Sequence, residues 1–398
     1  MLGFTRGHCD EVRVPWEEIC PMDERMSFLV QVNESEESFA ALCRRYGISR
    51  KTGYKWVARY EKEGPPGLLD RRPLATSHPD RVPDHLVDII VATRKEHPYW
   101  GPKKLLAWLK EHRPEHVWPA ASTMGDKLHD HGLIRPRRRR VRAPMSVDPL
   151  APTHLPNDTW CIDFKGHFAL GDKMRCYPLT VTDQHTRYLL KCEAMTEPKF
   201  EPVQRQLELA FREYGLPQRI RSDNGPPFAS VGLGGLSKLS VGWIKLGIVP
   251  ERIEPGQPQQ NGRHERMHKT LKQETANPPC ASLVEQQRVF DRFRHVFNDE
   301  RPHEALGQKP PASRYCTSPR VLPDKPRSPV YSDSMKVRRV DAGGRLKFHG
   351  VHALSRCLAG EPVGLEPIDE DTWELFYGPV LLAEIHVRNK QARLQRIG

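Results

Sequence analysis

The chain has 398 residues, of which 28% are charged, with a formal net charge of +12 and a sequence pI of about 9.3. This length admits about two to four domains, and the charge predicts a polyanionic partner. No apolar run approaches the length of a membrane span, so we expect no membrane partner, and nine cysteines without a Cys-x-x-Cys pair fit a reducing cytoplasm.

The first motif in chain order is a helix-turn-helix pattern within residues 35–75, which follow an N-terminal extension, residues 1–34. An amphipathic stretch precedes Gly47, which suits the turn, and Ser49 can cap a basic second helix. This pattern predicts DNA binding, although a solvated helical hairpin is the alternative interpretation. The residues expected to meet the major groove or flanking phosphates are Arg50, Lys51, Thr52, Tyr54 and Lys55.

A second helical unit, also helix-turn-helix-like, is predicted for residues 76–142 from apolar residues at helical spacing. It ends in a basic tail, where residues 135–142 carry six arginines and no acid. Such a tail binds DNA phosphates in a salt-dependent way, although a solubilising linker is the alternative. The tail residues that we expect to contact DNA are Arg137, Arg138, Arg139 and Arg140. Four prolines mark residues 143–156 as a linker.

Residues 157–315 contain three acidic residues in contexts typical of a metal-bound phosphoryl-transfer site: Asp163, Asp223 and Glu265. Asp163 lies in the first of three predicted strands that form a meander. Asp223 ends a further strand, because the Asn-Gly-Pro-Pro run after it cannot continue regular structure. Glu265 lies near the start of a predicted helix, residues 262–274, which Asn261 can cap.

Carboxylates suit this chemistry because Mg²⁺ prefers hard oxygen ligands, and two divalent ions about 3.5–4 Å apart stabilise both the attacking and the leaving oxygen. We therefore expect Asp163, Asp223 and Glu265 to hold two Mg²⁺ or Mn²⁺ ions per active site. Lys269 and Lys272 follow Glu265 by four and seven positions, so they share its helix face and are predicted to contact DNA.

The nearest competitors are Asp158 and Asp183 for the first acid and Glu254 and Glu274 for the third. We interpret both aspartates as turn residues, place Glu254 in a helix-breaking segment, and place Glu274 near the end of the helix. His264 and His268 resemble half of a zinc site, but no third ligand is close in the sequence, so we interpret them as structural.

These segments resemble transposases of the retroviral-integrase superfamily with an Asp-Asp-Glu triad, and most of all the insertion-sequence 481 group. The matching text comprises Trp160-x-x-Asp163-Phe164, Ser222-Asp-Asn-Gly-Pro-Pro-Phe228, Pro258-Gln-Gln-Asn-Gly-Arg-His-Glu-Arg266, Thr270-Leu-Lys-Gln-Glu274 and Asn298-x-x-Arg-Pro-His-x-x-Leu306. The spacing between the second and third acids exceeds the family's commonest interval, and we consider the run at residues 230–239 a candidate loop over the site.

The resemblance implies an RNase H-like fold, dependence on Mg²⁺ or Mn²⁺, 3′-end cleavage at terminal inverted repeats and strand transfer into target DNA. It also matches Lys269 and Lys272 to lysines that touch the element's end. Since two ends are joined to one target, we expect a homo-oligomer, at least a dimer, in the bacterial cytoplasm and associated with the nucleoid. The alternative hypothesis is a DNA-binding regulator or an inactive transposase relic.

The predicted architecture is therefore multidomain: N-terminal all-α helix-turn-helix units, a central α/β RNase H-like domain with a mixed sheet and flanking helices, and a C-terminal small β-barrel. Proline-rich residues 316–332 are expected to form a linker. Residues 333–398 alternate as short strands, for which an SH3-like barrel is the economical solution. Such a barrel would bind DNA or a neighbouring subunit, and the sequence favours neither.

Overall fold

The structure is a computed structural model that describes residues 21–70, 81–134, 150–254, 260, 262–388 and 391–396. It divides into two compact units at Arg81 and Val82. Within the described ranges, every helix falls short of the length or the apolar character that a membrane span requires. The arginines at 137–140, predicted to bind DNA phosphates, lie outside the described residues.

The first unit confirms the helix-turn-helix prediction. Ser49 caps the second helix of the motif by accepting a hydrogen bond from the Thr52 backbone at 3.1 Å, and Gly47 has a φ of +65° at the turn. An additional helix packs Phe28 and Leu29 into the same core, so this unit includes residues that the sequence analysis assigned to the N-terminal extension. Its helices are α1 (Pro21–Glu34), α2 (Phe39–Arg45) and α3 (Arg50–Glu63).

Gly53, in the middle of α3, is required by close packing. A Cβ atom at this position would lie 2.8 Å from Cys43 Sγ and 3.0 Å from the ring of Phe39. Glycine costs about 1 kcal/mol in a helix interior relative to alanine. The close approach of α3 to α1 and α2 accounts for its presence here.

The second unit begins with three helices around a core that includes Ile90, Leu105 and Met124. These helices adjoin the central domain, because the Lys104 ammonium donates a hydrogen bond to the Pro302 carbonyl and Lys103 pairs with Glu304 at 3.4 Å. The helices are α4 (Asp84–Glu96), α5 (Pro102–His112) and α6 (Ala121–Asp130).

The central domain is a mixed sheet with helices on both faces, as predicted. The strand order is β2-β3-β1-β5-β6, with β4 paired to β3; β1 is antiparallel to β3 and parallel to β5. One face packs on α7 and α8, and the other on α9 and α10. The elements are β1 (Thr159–Phe164), β2 (Phe168–Ala169), β3 (Arg175–Asp183), β4 (Leu189–Met195), α7 (Phe200–Tyr214), β5 (Arg219–Ser222), α8 (Lys238–Lys245), β6 (Val249–Arg252), α9 (Gly262–Thr275) and α10 (Leu283–His295).

The segment after the central domain, predicted to be a linker, is bound along that domain. The Arg320 guanidinium donates hydrogen bonds to the carbonyls of Pro217 and Gly247, and Arg320 O accepts a bond from the Leu216 backbone. Ser318 N donates to Tyr214 O at 2.8 Å. These hydrogen bonds connect the C-terminal ends of α7 and α8 to the segment that contains Ser318 and Arg320.

The C-terminal strands form an open five-stranded antiparallel sheet in the order β13-β12-β11-β10-β7, with a separate hairpin. The predicted barrel is not confirmed, because among the described residues β7 and β13 are the two edges of this sheet and do not pair. The strands are β7 (Lys336–Arg339), β8 (Arg345–Lys347), β9 (Val351–Ala353), β10 (Pro362–Pro367), β11 (Thr372–Tyr377), β12 (Val380–Arg388) and β13 (Gln391–Arg396).

The run at residues 230–239 packs against this C-terminal sheet. Leu233 and Leu236 are buried in the same cluster as residues of β10 to β12. A Cβ atom on Gly234 would lie 2.6 Å from the Leu382 side chain. The run is thus held by the C-terminal sheet, and its position as a loop over the acidic site stays a prediction.

Candidate metal centre

Two aspartates lie at the same level at the ends of neighbouring parallel strands. In the β1–β5 pairing Cys161 lies opposite Arg221; Asp163 follows two residues later in β1, and Asp223 is the first residue after β5. Neighbouring strands are about 4.8 Å apart. Asp223 is further held by the Gly225 backbone N–H, which donates to its Oδ1 at 3.2 Å.

Helix α9 brings the third acid to these aspartates. Its buried face, which includes His264, His268 and Leu271, packs on the sheet, and Glu265 lies on the exposed side. Burial, together with the carboxylates of Asp223 and Glu265, raises the pKa of Asp163 to about 7. Burial also raises the pKa of Asp223. The charges of Asp223 and Glu265 thus both act on the Asp163 carboxyl.

The two histidines of α9 are fixed by threonine hydroxyls of β3. His264 has both ring nitrogens engaged, with Nε2 at 2.8 Å from Thr180 Oγ1 and Nδ1 at 2.8 Å from Thr182 Oγ1. His268 Nε2 lies 2.6 Å from the same Thr180 oxygen, and its Nδ1 lies 3.6 Å from Asp163 Oδ2. Burial lowers the pKa of His268 to about 2, so this imidazole is neutral and does not form an ion pair with the carboxylate.

The expectation that no third ligand lies near the two histidines is wrong, because Asp163 lies close to both in the folded chain. Asp163, His264 and His268 place candidate ligand atoms within 4.8 Å of one another. Both ring nitrogens of His264 are hydrogen-bonded to threonine hydroxyls, whereas the Nδ1 atom of His268 faces Asp163. The acidic side of the site offers the hard oxygen donors that Mg²⁺ prefers. A cluster of opposed carboxylates fits a divalent cation, because the ion would remove the repulsion that raises the pKa of Asp163.

Lys165 is a member of the site that sequence analysis missed. It follows Asp163 by two residues, and its charge lowers the pKa of that carboxyl and of both histidines. The alternation of a strand places residues i and i+2 on one face, and that was the available signal. Lys165 partly offsets the charge of the three acids.

The four acids that competed with Asp163 and Glu265 for a place in the site are bonded to other groups or, in one case, exposed on a loop. Asp158 Oδ2 accepts hydrogen bonds from the backbone of His154 and Leu155 at 2.9 Å, as a turn residue does. Asp183 accepts bonds from the backbone N–H groups of Asn157 and Thr186. Glu274 pairs with Arg301 at 2.5 Å. Glu254 is exposed on the loop after β6.

The residues predicted to bind DNA are placed as follows. Lys269 and Lys272 are exposed on α9, in helical phase with Glu265. Arg50, Lys51 and Lys55 are exposed on α3, and Tyr54 is exposed while its ring stacks on Phe39 at 4.2 Å between ring centres. Thr52 is half-buried, and its hydroxyl lies 2.9 Å from Ser49 Oγ.

Family comparisons match the parts of the chain separately. Two profiles described as integrase core domain match residues 153–258 and 246–311. A helix-turn-helix domain profile matches residues 24–74, and a homeodomain-like domain profile matches residues 52–126.

Among curated proteins, an uncharacterised 39.2 kDa protein of insertion element IS476 from Xanthomonas euvesicatoria is 33% identical over 181 residues, which are 45% of this chain and 50% of that protein. An uncharacterised 31.7 kDa protein of insertion element IS407 from Burkholderia multivorans is 28% identical over 257 residues, 63% of this chain and 88% of that protein. The chain thus spans half the length of the first relative.

A solved intasome of simian T-cell lymphotropic virus covers 75% of this chain and 98% of its own, at 17% identity and a TM-score of 0.37. The integrase core profiles match the part of the chain that contains the mixed sheet and the three acidic segments. Residues 153–311 therefore match the integrase core domain, and proteins of bacterial insertion elements are among the relatives of the chain.

Proposed function

We propose that the protein is a DNA transposase that cleaves the 3′ ends of its element and transfers them into target DNA with the help of Mg²⁺. The observation that supports this most is that the charges of Asp223, after β5, and Glu265, on α9, both act on Asp163 of β1. Successive acids are separated by 59 and 41 intervening residues, so only the fold assembles them.

The residues of the chain have separate roles in this proposal. Asp163, Asp223 and Glu265 hold the metal ions, and His268, fixed by Thr180, limits the positions available to the Asp163 carboxylate. Bound divalent ions would stabilise charge on the attacking and leaving oxygens of a phosphodiester. The nucleophile is water or a DNA 3′-hydroxyl, since no side chain is needed for it.

DNA contacts are assigned to the exposed basic residues. Lys269 and Lys272 lie beside Glu265 on α9 and are proposed to hold the element's end next to the acids. Helix α3 is proposed to read the terminal repeat in the major groove, as the second helix of a helix-turn-helix motif does. Because two ends must be joined to one target, the active assembly contains at least two copies of the chain.

The test is a nicking and joining assay on DNA from the element's borders with Mg²⁺. Asp223→Asn and Glu265→Gln are expected to lower both reactions at least about a hundredfold, because loss of a metal ligand should cost no less than loss of a residue that supports one. Glu254→Gln removes an exposed acid close to the site and should leave the rates unchanged. Activity that survives Asp223→Asn would refute the metal-site assignment, and wild-type inactivity on several border sequences would favour the regulator hypothesis.

A further inference from the structure

A second site lies on another face of α9. A cavity of about 290 Å³ is enclosed by α5, the turn between β3 and β4, α9 and the chain that follows α10. Its volume is well above the roughly 10–15 Å³ that one ordered water requires. The cavity belongs to the second compact unit, and none of the three acids of the metal centre lines it.

The helical phase separates this cavity from the acidic site. Arg263, Arg266 and Thr270 line the cavity. At 100° per residue, they lie about 120° around the helix from the face that carries Glu265 and Lys269. One helix therefore presents two faces with different charges, an acidic and basic one toward the metal centre and a purely basic one toward the cavity.

The lining of the cavity is strongly cationic. Two carboxylates line it and only partly offset this charge: Asp183 is 1% exposed and accepts bonds from Asn157 and Thr186, and Glu304 pairs with Lys103 and raises the pKa of Lys104. Five basic side chains from four segments face them: Lys104, Arg187, Arg263, Arg266 and Arg301.

Several of these cations lack compensating groups. Arg301 pairs with Glu274, but among the residues that the structure describes Arg187, Arg263 and Arg266 form no ion pair. The buried atoms Arg187 Nη1 and His303 Nε2 have no hydrogen-bond partner there either. Buried polar atoms without partners are rare in folded proteins, and a bound ion or ligand would supply the missing partner.

The positively charged side chains also repel one another, so each makes the protonated form of its neighbours less favourable. The pKa of Lys104 is lowered to about 8 by burial and by Arg301. The pKa of Arg187 is lowered to about 10 by burial and by Arg263 and Arg266. An anion in the cavity would relieve this repulsion, in the same way that a cation relieves the repulsion among the acids.

We propose that this cavity binds a phosphate group. Arginine and lysine donors in a partly enclosed cavity match the oxygens of a phosphate, and the guanidinium group pairs with it through two parallel hydrogen bonds. The phosphate belongs either to the backbone of bound DNA or to a free phosphate compound. None of the three acids of the metal centre lines this cavity, so phosphate binding can be measured without measuring DNA cleavage or joining.

The first experiment measures binding of inorganic phosphate to the full-length protein by calorimetry, with chloride at equal ionic strength as reference. Arg266→Gln and Lys104→Gln remove cations from two different helices and should each weaken phosphate binding about tenfold or more. Arg288→Gln is the matched control, because Arg288 is exposed on α10 and does not line the cavity. Arg266 is also exposed, so its substitution should leave the fold intact.

The second experiment identifies the source of the phosphate. Binding of a DNA duplex of unrelated sequence is measured at several salt concentrations. In a plot of the logarithm of the binding constant against the logarithm of the salt concentration, one lost phosphate contact makes the slope shallower by about 0.9. A slope reduced in Arg266→Gln supports the DNA backbone as the ligand, and an unchanged slope with lost phosphate binding supports a free phosphate compound. Equal phosphate affinity in the wild type, Arg266→Gln and Lys104→Gln would overturn the proposal.

Discussion

Replacing Asp163 by asparagine should stabilise the metal-free protein while it removes a proposed metal ligand. The carboxyl is only 20% exposed and lies near two other acids, and both conditions disfavour its charged form. Asparagine has the same shape and an oxygen that can accept the bond from the Phe164 backbone. The variant therefore removes the charge with little change in packing.

The magnitude follows from the shift in pKa. The pKa of Asp163 is about 7 in the fold and 3.8 as a reference, and each unit corresponds to about 1.36 kcal/mol. Because the folded pKa is raised, the wild type loses stability as the pH rises from the unfolded value through the folded one. The loss, and hence the gain in Asp163→Asn, is about 4 kcal/mol at pH 8 and about 2 kcal/mol at pH 5, as upper values.

The assay is chemical denaturation in a chelating buffer at pH 5 and pH 8, with Glu254→Gln as a control that should match the wild type at both. Adding Mg²⁺ should stabilise the wild type by an amount that rises with the logarithm of the Mg²⁺ concentration above the Kd, and leave Asp163→Asn nearly unchanged. Equal stability of Asp163→Asn and the wild type at pH 8, or a difference that does not depend on pH, would show that neither burial nor the neighbouring acids disfavour the charged form of Asp163.

Three other substitutions test separate parts of the structure. Gly53→Ala should destabilise the first unit by about 1–3 kcal/mol in denaturation, because its Cβ would meet Cys43 Sγ; a stabilised variant would contradict this packing. Lys269→Ala should lower the salt slope of binding to border DNA by about 0.9 and leave Mg²⁺ affinity intact, and an unchanged slope would remove its role. Lys245→Met breaks the 2.7 Å pair with Glu361 and should cost about 1–3 kcal/mol, so a neutral result would show that this pair does not fasten the C-terminal sheet.

Most helices and strands, and the three acidic residues, could be predicted because the residue pattern that marks each of them lies within one short segment of the sequence. Alternation of apolar residues marks β1 and β3, the Asn-Gly-Pro-Pro run ends the strand before Asp223, and helical spacing marks α7 and α9. Local pattern also assigned the turn role of Asp158, which the structure confirms.

The remaining features depend on contacts between distant segments. The approach of His268 to Asp163 requires α9 to pack on β3, and no spacing in the sequence encodes that distance. The cavity that contains Arg187 and Lys104 draws on four separate segments. The C-terminal strands were predicted individually, but whether β7 pairs with β13 is decided by the twist and length of the whole sheet, which alternation does not report.

The run at residues 230–239 has a mechanical consequence. It lies in the 41-residue spacer between Asp223 and Glu265, and its leucines are embedded in the C-terminal sheet. Helix α8, which follows the run, places Val241 and Ile244 in the same cluster and Leu239 and Trp243 in the core of the central domain. The chain between the second and third acids therefore joins two hydrophobic cores, so a substitution that loosens the C-terminal sheet should also weaken the packing of α8 on the central domain.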